Sequence, residues 1–387
     1  MWITISEALK LDTFRSFQLV AGKNGLNNKF KKVGILDWEI GQKIEGQFGR
    51  EELILSSFLG ARNNVDLLFE SIKNLIEDEV SGLGIKNIYF KEIPAQIIDY
   101  ADKKKFPIFI FDNSVFVEDI ITEVRDVIRN KENYQLLQSK MDAILAEDMS
   151  NRFVKETALE LNPVFKENFI AVFCQEKQHE DDTNIIHLLE DVKKCKTIDP
   201  YTFISKYRDG IFIIYSFDRV NKNKIIKNID RLMSEIGIDR EKFYIGISND
   251  HHLNELNIGM KESLYAVEVC EIEKKDQTFF KNIGVYKILM PFMDKTWIHR
   301  FCNEIIVPLQ KYDEQYHTEI LNTVICYVEN DGNVKKTSEA LIQHENTIRY
   351  RINKVKELLH MGDLNGSFYE QLFIAIKIYK ALQDLRR

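Results

Sequence analysis

Asn333-Val334-Lys335-Lys336-Thr337-Ser338-Glu339-Ala340-Leu341, followed two residues later by His344-Glu345-Asn346-Thr347-Ile348-Arg349-Tyr350-Arg351-Ile352, is the stretch on which the reading of this 387-residue chain turns. Asn333 suits the N-cap of a short helix over Val334 to Ile342, because its side chain can accept from an otherwise unpaired amide in the first turn. After Gln343-His344-Glu345 a further helix starts, carrying Ile348, Ile352, Val355 and Leu359 at i, i+4, i+7 and i+11. That spacing is one apolar stripe on a helix. The opposite face then presents Asn346, Arg349, Tyr350, Asn353 and Lys354, flanked by Thr347, Arg351 and Lys356. Just upstream, Ile320, Leu321, Val324, Ile325 and Val328 form another one-sided helix, ending at Asn330-Asp331-Gly332-Asn333. A short helix, a tight turn and a helix with a polar, cationic outer face are the parts of a helix-turn-helix. Arg can pair two donors with guanine, Asn can do the same with adenine, and Thr can touch a thymine methyl. Lys335 and Lys336, at the start of the preceding helix, suit phosphate contacts.

Charge is distributed to match. With 53 Lys and Arg against 60 Asp and Glu, the formal net charge is −7. From Tyr316 onward, 10 basic residues meet 9 acidic ones, so the remainder carries −8. A mildly acidic body bearing a locally basic module avoids indiscriminate DNA binding.

Upstream, residues 1–130 alternate strand and helix. Glu52-Leu53-Ile54-Leu55-Ser56-Ser57 reads as a buried strand, and Leu67, Leu68, Ile72, Leu75 and Ile76 as a helix. Gly82-Leu83-Gly84-Ile85 onward to Tyr89-Phe90 reads as a second strand. A helix follows from Pro94 through Ala101, then an apolar third strand, Pro107 to Phe111, and a helix from Val117 to Ile128. Such alternation predicts a parallel α/β sheet, whose ligands bind beyond the carboxyl ends of the strands. Ser56, Ser57, Asn87, Asp112 and Asn113 are therefore the candidate ligand-binding residues. Residues 131–165 read as a helical linker, with Leu137, Met141, Ile144 and Leu145 on one stripe that packs on its own domain or forms a dimer seam. Residues 166–290 read as a mixed α+β domain with strands at Phe169–Phe173, Gly210–Tyr215 and Phe243–Ser248. The C-terminal module spans 317–387, beyond a linking segment.

The run "H-x-N-T-x-x-Y-R" at His344 to Arg351, behind the helix from Asn333 to Leu341, resembles the C-terminal helix-turn-helix of the PucR/CdaR family of bacterial transcriptional regulators. Gly25-Leu26, Glu52 to Leu55 and Ala101-Asp102 with Phe106-Pro107-Ile108 resemble that family's N-terminal sensory domain. Tyr244-Ile245-Gly246-Ile247-Ser248 and Lys261 to Ala266 are similar to its GGDEF-like domain. The resemblance implies an α/β multidomain protein: an N-terminal α/β sensor, an α+β GGDEF-like middle domain and an all-α C-terminal helix-turn-helix. It also implies double-stranded DNA as partner and a small-molecule effector, with purine-catabolic and carbohydrate-derived compounds as candidate classes. An active diguanylate cyclase needs a Gly-Gly-Asp/Glu-Glu-Phe turn; Tyr207-Arg208-Asp209-Gly210-Ile211-Phe212 lacks the paired glycines and the second carboxylate.

Other chemistry finds little support. Five cysteines 20 or more residues apart, with no CxxC, fit buried free thiols in a reducing compartment. His251-His252 reads as a turn pair, and His179-Glu180-Asp181-Asp182 as a solvated loop. The chain opens without a basic leader, and no run of about 18 apolar residues could cross a membrane. The expectation is a cytoplasmic regulator with no catalytic residues, metal or cofactor. Since one module reads only a few base pairs, it should act as a homodimer or higher homo-oligomer. The rival reading is a nucleotide-binding signalling protein or enzyme whose C-terminal bundle only dimerises; the missing turn glycines weigh against it.

Overall fold

A computed structural model describes residues 1–37, 48–178, 185–186, 188–189, 192, 198–218, 222–361 and 365–384. It divides into two compact units, Met1–Leu136 and Leu137–Arg387. The His179 to Asp182 segment and Cys195 lie outside the described residues.

In the first unit, strands β1 (Ile3–Thr4) and β3 (Lys29–Phe30) form a small antiparallel pair, and helix α1 (Ile5–Ala8) follows β1. The main sheet has the order β2-β7-β6-β5-β4, built from β2 (Gln18–Ala21), β4 (Lys32–Ile35), β5 (Glu52–Ser56), β6 (Gly82–Lys86) and β7 (Ile108–Phe111). Strands β4 to β7 run parallel, and β2 closes one edge antiparallel to β7. Alternate side chains feed two cores. Ile54, Leu83, Ile85 and Ile108 pack with Leu68, Ile72 and Leu75 of α2 (Val65–Glu77) and Ile97 and Ala101 of α3 (Ala95–Lys104). Leu53, Leu55, Phe109 and Phe111 pack with Ile120, Val124 and Ile128 of α4 (Val117–Leu145). Both faces are covered, which is why β5 and β7 are apolar without alternation. Gly22, at φ +72°, crosses so close to Phe106 that a Cβ there would sit 2.0 Å from its carbonyl oxygen. Only glycine satisfies both conditions.

Three expectations change. Strand β6 stops at Lys86 and residues 87–89 turn, leaving Tyr89 at the surface. Helix α4 is a single 29-residue helix that takes in the start of the expected linker. It ends before Asp148, at φ +58°, and Ser150 caps a separate helix, α5 (Asn151–Leu161), by accepting from the amide of Phe153 at 3.3 Å. The Met141 and Ile144 stripe is buried against Val154, Ala158 and Phe169, so it packs within its own domain.

The second unit carries a five-stranded sheet of order β12-β11-β8-β10-β9: β8 (Asn168–Glu176), β9 (Thr202–Tyr207), β10 (Gly210–Phe217), β11 (Phe243–His252) and β12 (Gln277–Phe279). β9 and β10 form a hairpin with Tyr207 opposite Gly210. Two further helices are α6 (Lys222–Glu235) and α7 (Leu256–Glu273). A Cβ at Gly246 would meet the Ser263 carbonyl oxygen at 2.1 Å, so α7 lies directly against β11. His251 and His252 belong to the end of β11 rather than a turn, paired with Phe169 and Asn168.

Buried Glu262 of α7 accepts from the Asn249 amide at 2.8 Å and its side-chain nitrogen at 3.1 Å. His251 Nε2 stands 3.0 Å from the same carboxylate, an ion pair when the imidazole is protonated. Glu262 raises the His251 pKa; burial opposes this, and Glu255 and Asp250 add to it. A folded-state pKa above the unfolded value contributes stability that is complete below about pH 6.5 and lost as pH rises through the folded pKa. Melting temperature is therefore expected to fall as pH rises above about 6.5, and His251→Gln should flatten that slope; parallel profiles for the two proteins would remove His251 from the account.

The last part of the second unit is helical: α8 (Tyr286–Leu289), α9 (Thr296–Tyr316), α10 (Ile320–Glu329), α11 (Val334–Leu341), α12 (Glu345–Leu358) and α13 (Asn365–Asp384). One core joins Val269 and Ile272 of α7, Ile305 and Leu309 of α9, Val324 of α10, Ile348 and Val355 of α12, and Leu372 and Ile376 of α13. The expected linking segment thus contains a 21-residue helix with Pro308 inside it.

Candidate nucleic-acid interface

The interface is built on α10, α11 and α12. Asp313, near the end of α9, opens the module. Its two carboxylate oxygens accept from the amides of Ile320 and Leu321 at 2.7 and 2.9 Å, and from the Thr318 hydroxyl at 2.6 Å. These are the orphan donors of the first turn of α10. Asn333 caps α11 by accepting from the amide of Lys336 at 3.1 Å. α11 ends at Ile342, whose backbone is left-handed at φ +52°. His344 then caps α12, its Nδ1 accepting from the Asn346 amide at 3.1 Å.

Ile348, Ile352 and Val355 are buried and Leu359 is half-buried, which fixes the rotation of α12. Asn346, Arg349, Tyr350 and Asn353 consequently stand exposed on one face, with Tyr350 at 67 % exposure. Thr347 is half-buried beside them, and Lys335 and Lys336 are exposed on the first turn of α11. Among the described residues Arg349 is held by an exposed i,i+4 pair with Glu345 at 3.2 Å, a weak restraint that leaves the guanidinium available.

Two expected members are turned to other work. Arg351 is half-buried and donates to Thr323 Oγ1 at 2.8 Å, tying α12 to α10. Its position next to the buried Ile352 points it back into the bundle. Lys354 pairs with Glu357 at 2.9 Å, which raises its pKa, and lies 5.7 Å over the Tyr312 ring.

At the carboxyl end of the first sheet, Ser57 donates to Asp37 Oδ1 from its amide at 3.0 Å and its hydroxyl at 2.9 Å. The buried Ser56 hydroxyl donates to the Leu36 carbonyl and is already satisfied. Asn87 and Asn113 are exposed, and Asp112 accepts from the Ser114 amide at 2.7 Å, which holds its carboxyl below the usual range. Asp37 was not singled out in the sequence; it lies two residues beyond β4, a short edge strand that carries no periodic signal. Cys174, Cys270, Cys302 and Cys326 are buried free thiols, and burial pushes Cys270 up to about 12, far from a nucleophile's range.

Three packed helices with a polar, cationic outer face on the last of them define a helix-turn-helix protein, a class that binds DNA. Residues 7–128 match the PucR family, described as "Purine catabolism regulatory protein-like family", and residues 320–378 match the "PucR C-terminal helix-turn-helix domain". The chain is 24% identical over 282 residues to the "Proline-responsive transcriptional activator PutR" of Bacillus subtilis (strain 168), covering 70% of this chain and 68% of that one. To the "Purine catabolism regulatory protein" of the same organism it is 26% identical over 138 residues, covering 35% of this chain and 25% of the relative. A crystal structure of "Regulator of Polyketide Synthase Expression from Bifidobacterium adolescentis" aligns at 12% identity and a TM-score of 0.31, over 65% of this chain and 99% of that one, too distant to carry an argument. The chain thus carries a PucR-family N-terminal domain and a PucR C-terminal helix-turn-helix domain, and the relatives it matches are named as regulators of transcription or catabolism.

Proposed function

We propose that this regulator reads its operator with Asn346, Thr347, Arg349, Tyr350 and Asn353 in the major groove, and that Lys335 and Lys336 contact the flanking phosphates. The observation that carries this reading is the single exposed face of α12, which is polar, cationic and opposite a fully apolar stripe. Arg351 and Lys354 serve the module by positioning α12. The functional division is an α/β sensor over 1–130, a linker over 131–165, a catalytically inert GGDEF-like domain over 166–290 and the DNA-binding module over 317–387. The β9–β10 hairpin, turning at Arg208-Asp209 without paired glycines, supports the inert reading.

A small metabolite is sensed at the carboxyl ends of β5, β6 and β7, with Asp37 and Ser57 as its polar anchors. Relatives named for proline response and purine catabolism support a metabolite as effector. The regulator acts in the cytoplasm as a homodimer or larger assembly, because one module buries too little DNA for useful affinity. Among the described residues no helix is long and apolar enough to cross a membrane.

The test is binding of the full chain to DNA upstream of its own coding region against scrambled DNA, over a salt series. Specific retention with a steep salt dependence is expected; equal binding to both DNAs would overturn operator recognition. Lys335→Ala should weaken every DNA alike and lower the salt slope by about one.

A further inference from the structure

Ile342 combines two departures from what stability favours. It is the C-cap of α11, with φ +52° and ψ +46°, a conformation usually left to glycine or asparagine at this position. Twelve non-glycine residues among those described have positive φ, and Ile342 alone of them is β-branched. A branched Cβ makes the left-handed region a true outlier. Ile342 is also 91 % exposed, the most of any large hydrophobic residue among the described residues, Trp297 at 74 % being next. Strain at a buried position can be imposed by packing, but a side chain this exposed has almost no packing to impose it. Neither the fold of the turn nor the core of the module calls for isoleucine there.

We infer that Ile342 is a specificity residue that makes an apolar contact with a thymine methyl group at the edge of the operator. The inference rests on the DNA-binding reading above. Ile342 lies in the turn that leads directly into α12, two residues before the cap and four before Asn346, at the N-terminal end of the helix that carries the proposed reading face. Thymine is the base that offers a methyl group in the major groove. A β-branched side chain has few rotamers, so little conformational freedom is lost when it docks. Strained, exposed residues of this kind gather where function over-rules stability.

The experiment uses the full chain. Double-stranded sites are selected from a random library, and the selected site is then resynthesised with each thymine in turn replaced by deoxyuridine, which removes only the methyl group. Wild-type protein is expected to lose about threefold to tenfold in affinity at one such position. Ile342→Gly should lose a similar factor on the unmodified site, show no further loss at that position, and melt at a higher temperature because the turn is relieved. Ile342→Leu, which keeps an apolar body, should retain most of the discrimination. A successful selection followed by a flat deoxyuridine profile, or by identical profiles for wild type and Ile342→Gly, overturns the inference while leaving the regulator reading intact. A flat profile together with lost self-association in Ile342→Gly would assign the side chain to a second copy instead. Selection that enriches no sequence removes the reading on which the inference stands.

Discussion

Ile348→Ala is expected to destabilise the C-terminal helices by about 2–5 kcal/mol, the usual cost of a large-to-small change in a closed core. Ile348 is fully buried, and its cluster contains residues from α7, α9, α10, α12 and α13. The lost methyl groups leave a void bounded by several helices at once, so no single neighbour can move in to fill it. Urea unfolding followed by far-UV circular dichroism would measure the loss. DNA affinity should fall only under conditions where the module begins to unfold. A change below about 0.5 kcal/mol, the range of surface substitutions, would mean that α12 is rotated differently and that its outer face has been misidentified.

Arg349→Ala, the next residue along the same helix, should do the reverse. Its guanidinium is exposed and, among the described residues, its ion pair is the surface contact with Glu345, so the melting temperature should be nearly unchanged. Operator affinity, in contrast, should drop by about 1–3 kcal/mol, and discrimination should relax at one base position. Competition binding with single-base variants of the operator separates this from Lys335→Ala, whose loss is the same on every sequence. If Arg349→Ala bound all variants with wild-type affinity, the reading face would lie elsewhere on the module. The two neighbouring substitutions thus read one helix from its two sides.

Much of this helix was legible in the sequence. Apolar residues at i, i+4 and i+7 fix which side of α12 turns inward, and Asn333 and Gly332 mark the helix boundaries before it. Arg351 was harder to place. It sits at the border between the stripe and the outer face, where a rotation of a few tens of degrees decides its partner, and that rotation is set by Thr323 on another helix. The α9 helix was missed for a related reason: Pro308 interrupts the pattern, although Cys302, Ile305, Ile306 and Leu309 form a buried stripe. Proline inside a helix loses one backbone hydrogen bond, a cost that packing in the large C-terminal core offsets.

In the N-terminal unit, long or wholly apolar segments such as β5, β7 and α2 announce themselves locally, because burial on both sides or on one stripe leaves a periodic trace. The edge strands β2 and β4 leave none: each has four residues, mostly exposed or half-buried, and becomes a strand only by pairing with a neighbour far along the chain. The sequence by itself determined the alternation of elements, the apolar faces and the helix-turn-helix motif, all products of local spacing and burial. Tertiary structure alone decided the sheet order, the joining of α4 across the expected boundary, the Asp313 cap and the inward turn of Arg351. Each of these depends on a hydrogen bond or contact between groups that no local pattern brings together.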